Sequence, residues 1–225
     1  MVISPPSTPT KLSNSSDANS SQPPIGEQRV LFQALQWQAY QQILEALGDR
    51  RSARLHYDRG TLEIVMPSEE HEFYSELIGR FIYFLVSALG QRLKSMGSTT
   101  LNREDLDRGG EPDKAYYIQN YARVAGRTVD LSTDPPPDLV VEVDITHTDI
   151  DKLSLYGAMG VAELWRYNGK VWRIYQNRGN TLEEVDTSPT FPFVPKSTLY
   201  DFLEKAKADE IGAEIALRDW LKESI

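Results

Sequence analysis

The segment Asp138-Leu-Val-Val-Glu-Val-Asp-Ile145 constrains this chain more than any other stretch. Its apolar positions are Leu, Val and Ile, which suit a pleated, half-buried backbone, and Pro135-Pro-Pro137 introduces it, so a strand is predicted. Side chains alternate across a strand, placing Asp138, Val140, Glu142 and Asp144 on one face and Leu139, Val141, Val143 and Ile145 on the other. The second face is a packing surface for a helix. The first carries three carboxylates that repel one another and are costly to desolvate unless water or a cation meets them. Two readings fit that face: a solvent-facing sheet edge with ordinary surface acids, or a site for a hard divalent metal.

Composition narrows the classes around this strand. The chain has 225 residues, 40% hydrophobic and 25% charged, the usual mixture for one or two globular domains. It contains no Cys, which excludes disulfide scaffolds, thiolate zinc sites and Cys-ligated iron–sulfur clusters and fits a reducing cytoplasm. A formal net charge of −9 argues against a generic polycation that coats nucleic acid or membrane. The longest apolar runs, such as Phe81–Val86, fall short of the roughly 20 residues that span a bilayer, and residues 1–27 lack the pattern of a secretory signal. A soluble, cytoplasmic protein is expected, with no membrane partner.

Residues 1–27 hold seven Ser, five Pro and no aromatic residue, a composition expected to stay disordered. That tail carries −1, so −9 less −1 leaves −8 on a body expected to be a single domain over 28–225. Apolar periodicity predicts a helix over 32–47, stopped by Gly48-Asp49, then a hairpin of strands 53–57 and 62–66. Ser68 is placed to cap a long helix over 70–94. Short strands are expected at 98–101 and 115–118, a helix at 150–159, a hairpin of 162–167 and 171–175, and closing helices at 199–206 and 209–222. The fold class is therefore mixed α/β, with helices flanking a sheet.

A second acid follows Pro-type punctuation in Glu111-Pro112-Asp113, 29 residues before Glu142, where Asp113 can sit beside Glu142 on a neighbouring element. Lys152 opens the next helix and can reach back to the same place. Two carboxylates suit Mg²⁺, and a cation beside them suits the charge that develops when water attacks a phosphodiester. Other chemistries lack support: His56, His71 and His147 have no zinc spacing, and neither a GxSxG nucleophile motif nor a GxxxxGK[ST] phosphate loop occurs. No function is expected of His56 or His147. His71 is open between a local polar role at a helix start and contact with a phosphate or site carboxylate. Trp165, Tyr167, Trp172 and Tyr175 read as core or interface rather than a base-stacking platform.

The segments Gly60–Pro67 followed by His71, Glu111-Pro-Asp113 with Tyr116–Asn120, Pro137–Val143, and Asp151-Lys152 with Tyr156, Gly160-Val161 and Glu163-Leu-Trp165 together resemble the Uma2 family (DUF820) of the PD-(D/E)XK nuclease superfamily. The resemblance spans roughly residues 30–205. It implies a restriction-endonuclease-like core, a mixed sheet flanked by helices, with a Mg²⁺ (or Mn²⁺) site in which Asp113 is the Asp of the PD motif and Glu142 the acid of (D/E)XK. The third position departs from the superfamily pattern, since Asp144 stands where Lys belongs, which makes Lys152 the candidate lysine. It also implies an extra acid from an early helix, for which Glu72 and Glu76 are available and spacing does not choose.

The function expected is a Mg²⁺-dependent DNA endonuclease with Asp113 and Glu142 as metal ligands and catalytic residues and Lys152 as the catalytic cation, acting as a homodimer. The alternative is a catalytically silent nucleic-acid- or protein-binding module, and a structural partner domain is a third. Asp138 and Asp144 are open between site and structural roles. With a body at −8, DNA would be held through local basic residues, for which Arg80, Arg92, Lys94, Arg103 and Lys152 are the candidates.

Overall fold

The computed structural model describes residues 26–48 and 51–225. Most of the tail expected over 1–27, and Asp49 of the expected helix stop, lie outside the described residues. Among the described residues, eleven strands form two sheets. The first contains β1 (Gln28–Phe32), β2 (Arg54–Asp58), β3 (Thr61–Met66), β5 (Leu101–Arg103) and β6 (Arg108–Gly110), in the order β1-β3-β2-β6-β5. The second contains β4 (Lys94–Ser95), β7 (Lys114–Tyr117), β8 (Leu139–Val143), β9 (Glu163–Tyr167), β10 (Trp172–Arg178) and β11 (Thr181–Val185), in the order β11-β10-β9-β8-β7-β4. All pairings are antiparallel except β8 with β9, which are joined through a crossover helix, as a parallel pair requires.

The helices are α1 (Trp37–Leu47), α2 (Glu69–Ala88), α3 (Tyr121–Val124), α4 (Lys152–Ala158), α5 (Lys196–Ala206) and α6 (Glu210–Ser224). Ser68 caps α2 by accepting from the His71 N–H at 3.2 Å, and Glu69, Glu70 and Glu72 fill its first turn, where the helix dipole favours acids. The buried stripe of α2, with Leu77, Ile78, Phe81 and Leu85 almost fully covered, packs with Leu139, Val141 and Val143 of β8 and with α5 and α6 in the main core. The apolar face of β8 thus meets a helix as its alternation demands. Trp165 and Trp172 join that core edge to face at 4.6 Å, and with Tyr167 and Tyr175 they are buried, so the late aromatic band is core.

The structure differs from the sequence expectations in five places, the first being the strand expected at 98–101, which forms at Leu101–Arg103 instead. The helix expected from residue 32 begins at Trp37, because Gln28–Phe32 pair with Leu62–Met66 as β1 instead. The long helix ends at Ala88, not 94: Gly90 takes a left-handed φ of 63°, and Lys94-Ser95 pair with Tyr116-Tyr117. Arg108–Gly110, read as part of a turn, is strand β6 and bonds to both β2 and β5. The unforeseen β11 pairs with β10 across Gly179-Asn180.

The two sheets meet where the chain leaves β6 for β7 through Glu111-Pro112-Asp113. Glu111 fixes the join by accepting from the Leu55 N–H at 2.8 Å while its own N–H donates to the Leu55 carbonyl at 3.0 Å. A Cβ on Gly110 would lie 3.3 Å from Leu155 and Tyr156 side-chain atoms, so a residue without one lets β6 approach α4 closely. This join carries the acid face of β8 under a roof made of β2 and α4.

Candidate active site

Lys114 lies opposite Val141 and Ala115 opposite Val140 in the β7–β8 ladder. Continuing that register by one residue sets Asp113 opposite Glu142. The Asp113 Oδ2 accepts from the Val143 N–H at 2.7 Å, and its Oδ1 receives Arg54 Nε at 2.9 Å and lies 3.1 Å from His71 Nε2. On Glu142, Oε1 receives the Tyr156 hydroxyl and lies 3.1 Å from His56 Nε2, while Oε2 receives Lys152 Nζ at 2.6 Å. The same Lys152 Nζ donates to Asp144 Oδ1 at 2.7 Å, and Asp144 Oδ2 takes Arg166 through Nη2 at 2.8 Å. Asp113, Glu142, Asp144 and Lys152 are all buried.

Lys152 arrives here because Asp151 caps α4, accepting from the N–H groups of Leu153 and Ser154. Position Lys152 is the first helical residue, and Tyr156, one turn later on the same face, reaches the same carboxylate. The electrostatics are those of a compensated buried cluster. Burial is the largest single influence and pushes the Glu142 and Asp144 carboxyls up, but Lys152 together with His56 at Glu142 and with Arg166 at Asp144 outweighs it, and both are held below the usual range. Burial pulls the Lys152 ammonium down, and Asp144 and Glu142 more than restore it, so it stays charged. For His71, burial lowers and Asp113 raises, and the net direction is up.

A comparison with protein families matches residues 37–204 to the Uma2 model, described as "Putative restriction endonuclease". The chain belongs to the Uma2 family. Among solved structures, a "putative nuclease belonging to DUF820" from Anabaena variabilis ATCC 29413 is similar at 12% identity and a TM-score of 0.49, covering 75% of this chain and 99% of that one. Comparison with curated proteins finds no match.

In this Uma2 protein the three residues singled out from sequence, Asp113, Glu142 and Lys152, come together, and Asp144 joins them through Lys152. Asp138 does not. Its carboxylate accepts from the Ile118 and Asn120 N–H groups at 2.7 and 2.9 Å and from the Asn120 side chain at 2.6 Å, which ties down the chain after β7. Of the two acids on α2, Glu72 pairs with Arg54 and lies 3.8 Å from His71 Nδ1, and Glu76 pairs with Arg80 and Lys114, so neither touches Asp113 or Glu142 directly. His71 sits on Asp113, while His147 is 86% exposed.

The basic residues expected around the cleft, Lys152 apart, are engaged elsewhere. Arg80 pairs with Glu76, Glu210 and Glu214, Lys94 donates to the Val124 and Arg127 carbonyls, Arg103 pairs with Asp105, and Arg92 lies over the Tyr121 ring.

Several residues at the site had no role in the sequence reading. His56 was expected to have none, yet it contacts Glu142. Glu27, assigned to the tail, has a buried side chain: its Oε2 receives Arg29 and the Thr146 N–H, and its Oε1 has no hydrogen-bond partner and lies 3.7 Å from His71 Nε2. Glu63 takes Thr148 Oγ1 and the Asp149 N–H, both at 2.9 Å, and so pins the loop that delivers Lys152. A usable signal existed for His56 and Glu63, each a lone polar residue inside an apolar β run, but no spacing rule connects the first sheet to the second.

The donor chemistry suits a hard divalent cation, since Asp113 and Glu142 offer oxygen ligands side by side and Glu27 Oε1 is an unpartnered buried carboxylate oxygen nearby. Among the described residues no group of three or more His, Asp or Glu side chains is placed to hold a metal ion, so the pair Asp113 and Glu142 would have to supply the protein ligands. Lys152, Arg54 and His71 hold the oxygens such an ion would take.

Proposed function

We propose that this Uma2 protein hydrolyses phosphodiester bonds of DNA with Mg²⁺ or Mn²⁺ held by Asp113 and Glu142. The observation that carries the reading is the position of Asp113, one residue before β7 and so beside Glu142 of β8, together with Lys152 on Glu142. When bound, such an ion supplies Lewis acidity towards a phosphoryl oxygen and a water of lowered pKa. Arg54 and His71 orient the Asp113 carboxylate, and His56 and Tyr156 orient that of Glu142, as the hydrogen-bond partners of metal ligands do. Lys152 brings a positive charge to the scissile phosphate, where charge develops during attack by water. Asp144 keeps Arg166 as a counter-ion when Lys152 turns to substrate. Cutting both strands of a duplex calls for two such sites, so we propose a homodimer, which sedimentation of the purified chain tests.

One observation favours a catalytically silent binding relative instead: all four oxygens of Asp113 and Glu142 already meet protein donors. Incubation with single-stranded, double-stranded and branched DNA, with Mg²⁺ or with chelator, separates the two. Cleavage that needs the ion and is lost in Asp113→Asn and Glu142→Gln supports the nuclease. No cleavage of any substrate together with no metal binding by calorimetry overturns it.

A further inference from the structure

The register that sets Asp113 opposite Glu142 continues across the sheet. Glu142 of β8 lies beside Arg166 of β9, and Arg166 lies opposite Arg173 of β10. Laterally paired residues point to the same face, so Glu142, Arg166 and Arg173 form one row across β8, β9 and β10, with Asp113 at its end just before β7. Two like charges directly opposite each other destabilise an antiparallel pair unless an anion meets them. Asp144 answers Arg166 at 2.8 Å, but the carboxylate beside Arg173, that of Glu184, is 3.9 Å away and the Arg173 side chain is 48% exposed. Both arginines line a cavity of about 330 Å³ that also includes Asp144, Thr146, Thr148 and Asn168. The cavity therefore opens beside the Lys152–Asp144 pair.

We propose that Arg166 and Arg173 form a binding site for a backbone phosphate of the nucleic-acid strand, flanking the phosphate that is cut. This inference rests on the nuclease reading and names where the substrate strand runs: from the acid pair outward over β9 and β10. A guanidinium pair suits a phosphate because each presents planar N–H donors in a fork, and neither reads base identity. It also resolves the charge problem of an acidic chain, since the strand is held by a local basic row rather than by overall charge.

The test measures binding of the full chain to labelled duplex and single strands by fluorescence anisotropy over a range of salt, in chelator and again with Ca²⁺. Arg173→Ala should weaken binding about tenfold, as loss of one charge-assisted hydrogen bond does, equally for different sequences. The slope of log K against log salt should fall by about 0.9 on duplex or about 0.7 on single strands, and Arg173→Lys should restore it. The melting temperature of Arg173→Ala should stay level or rise, because a like-charged neighbour is removed, which a merely structural arginine would not allow. Wild-type affinity and salt slope in Arg173→Ala, in a chain that still cleaves DNA, overturns this site alone. A wild-type chain that binds no nucleic acid under either condition overturns both this site and the nuclease reading.

Discussion

Removing the Lys152 ammonium should reverse the way stability responds to pH. Lys152 is 3% exposed and contacts Glu142 at 2.6 Å and Asp144 at 2.7 Å. At an effective dielectric of about 20, each contact is worth about 6 kcal/mol of gross attraction, most of it offset by the cost of burying three charges. In Lys152→Met that cost remains for the two carboxylates and the attraction is gone, so a loss of roughly 3–5 kcal/mol at pH 7 is expected, a large share of a typical total of about 5–15.

The wild-type carboxyls sit below their ordinary range, so their contribution is present above the unfolded pKa of about 4 and is lost as pH falls through the folded value. In Lys152→Met burial is left with less opposition and raises them. The variant should then be relatively better off at pH 5 than at pH 7. Urea unfolding at both pH values measures this, and Glu142→Gln in the Lys152→Met background should recover part of the loss. A variant within 1 kcal/mol of wild type, or one whose deficit is the same at both pH values, would refute the reasoning.

Glu63→Ala removes the acceptor for the Asp149 N–H and Thr148 hydroxyl, so amide exchange over residues 145–151 should quicken while α2 stays protected; unchanged exchange there would show that the loop is held otherwise. Asp138→Ala should cost roughly 3 kcal/mol in urea unfolding, for the charged hydrogen bonds lost to the Ile118–Asn120 segment, yet leave Mn²⁺ affinity as it was. The raised pKa of His71 stabilises the fold fully below its unfolded value of about 6.5, and that gain fades as pH rises through the folded value. A ring titration followed by NMR should place His71 above 6.5 in wild type and lower in Asp113→Asn.

Elements with a strong local pattern were legible. The β-branched run of β8, the Ser68 cap with acids behind it, and the Asn168-Gly169 turn between β9 and β10 each carry their own signal and fold as expected. β1 was not legible because it is an edge strand with Val30, Leu31 and Phe32 all exposed, so its side chains show no alternation and only pairing with β3 makes it a strand. The acid face of β8 was legible as a face but not as buried, because its roof comes from β2 and α4. For the same reason Arg54, His56 and Glu63 went unseen: each reaches the site from the first sheet, through a join that only the folded chain creates.

The central claim is that Asp113 and Glu142 together make a metal-dependent hydrolytic centre. Calorimetric titration of Mn²⁺ into wild type, Asp113→Asn and Glu142→Gln, with DNA cleavage assayed on the same samples, tests it most directly. Wild type should bind the ion and cut, and each substitution should abolish both while the folded chain persists. Equal Mn²⁺ binding and equal cleavage by all three proteins would contradict it.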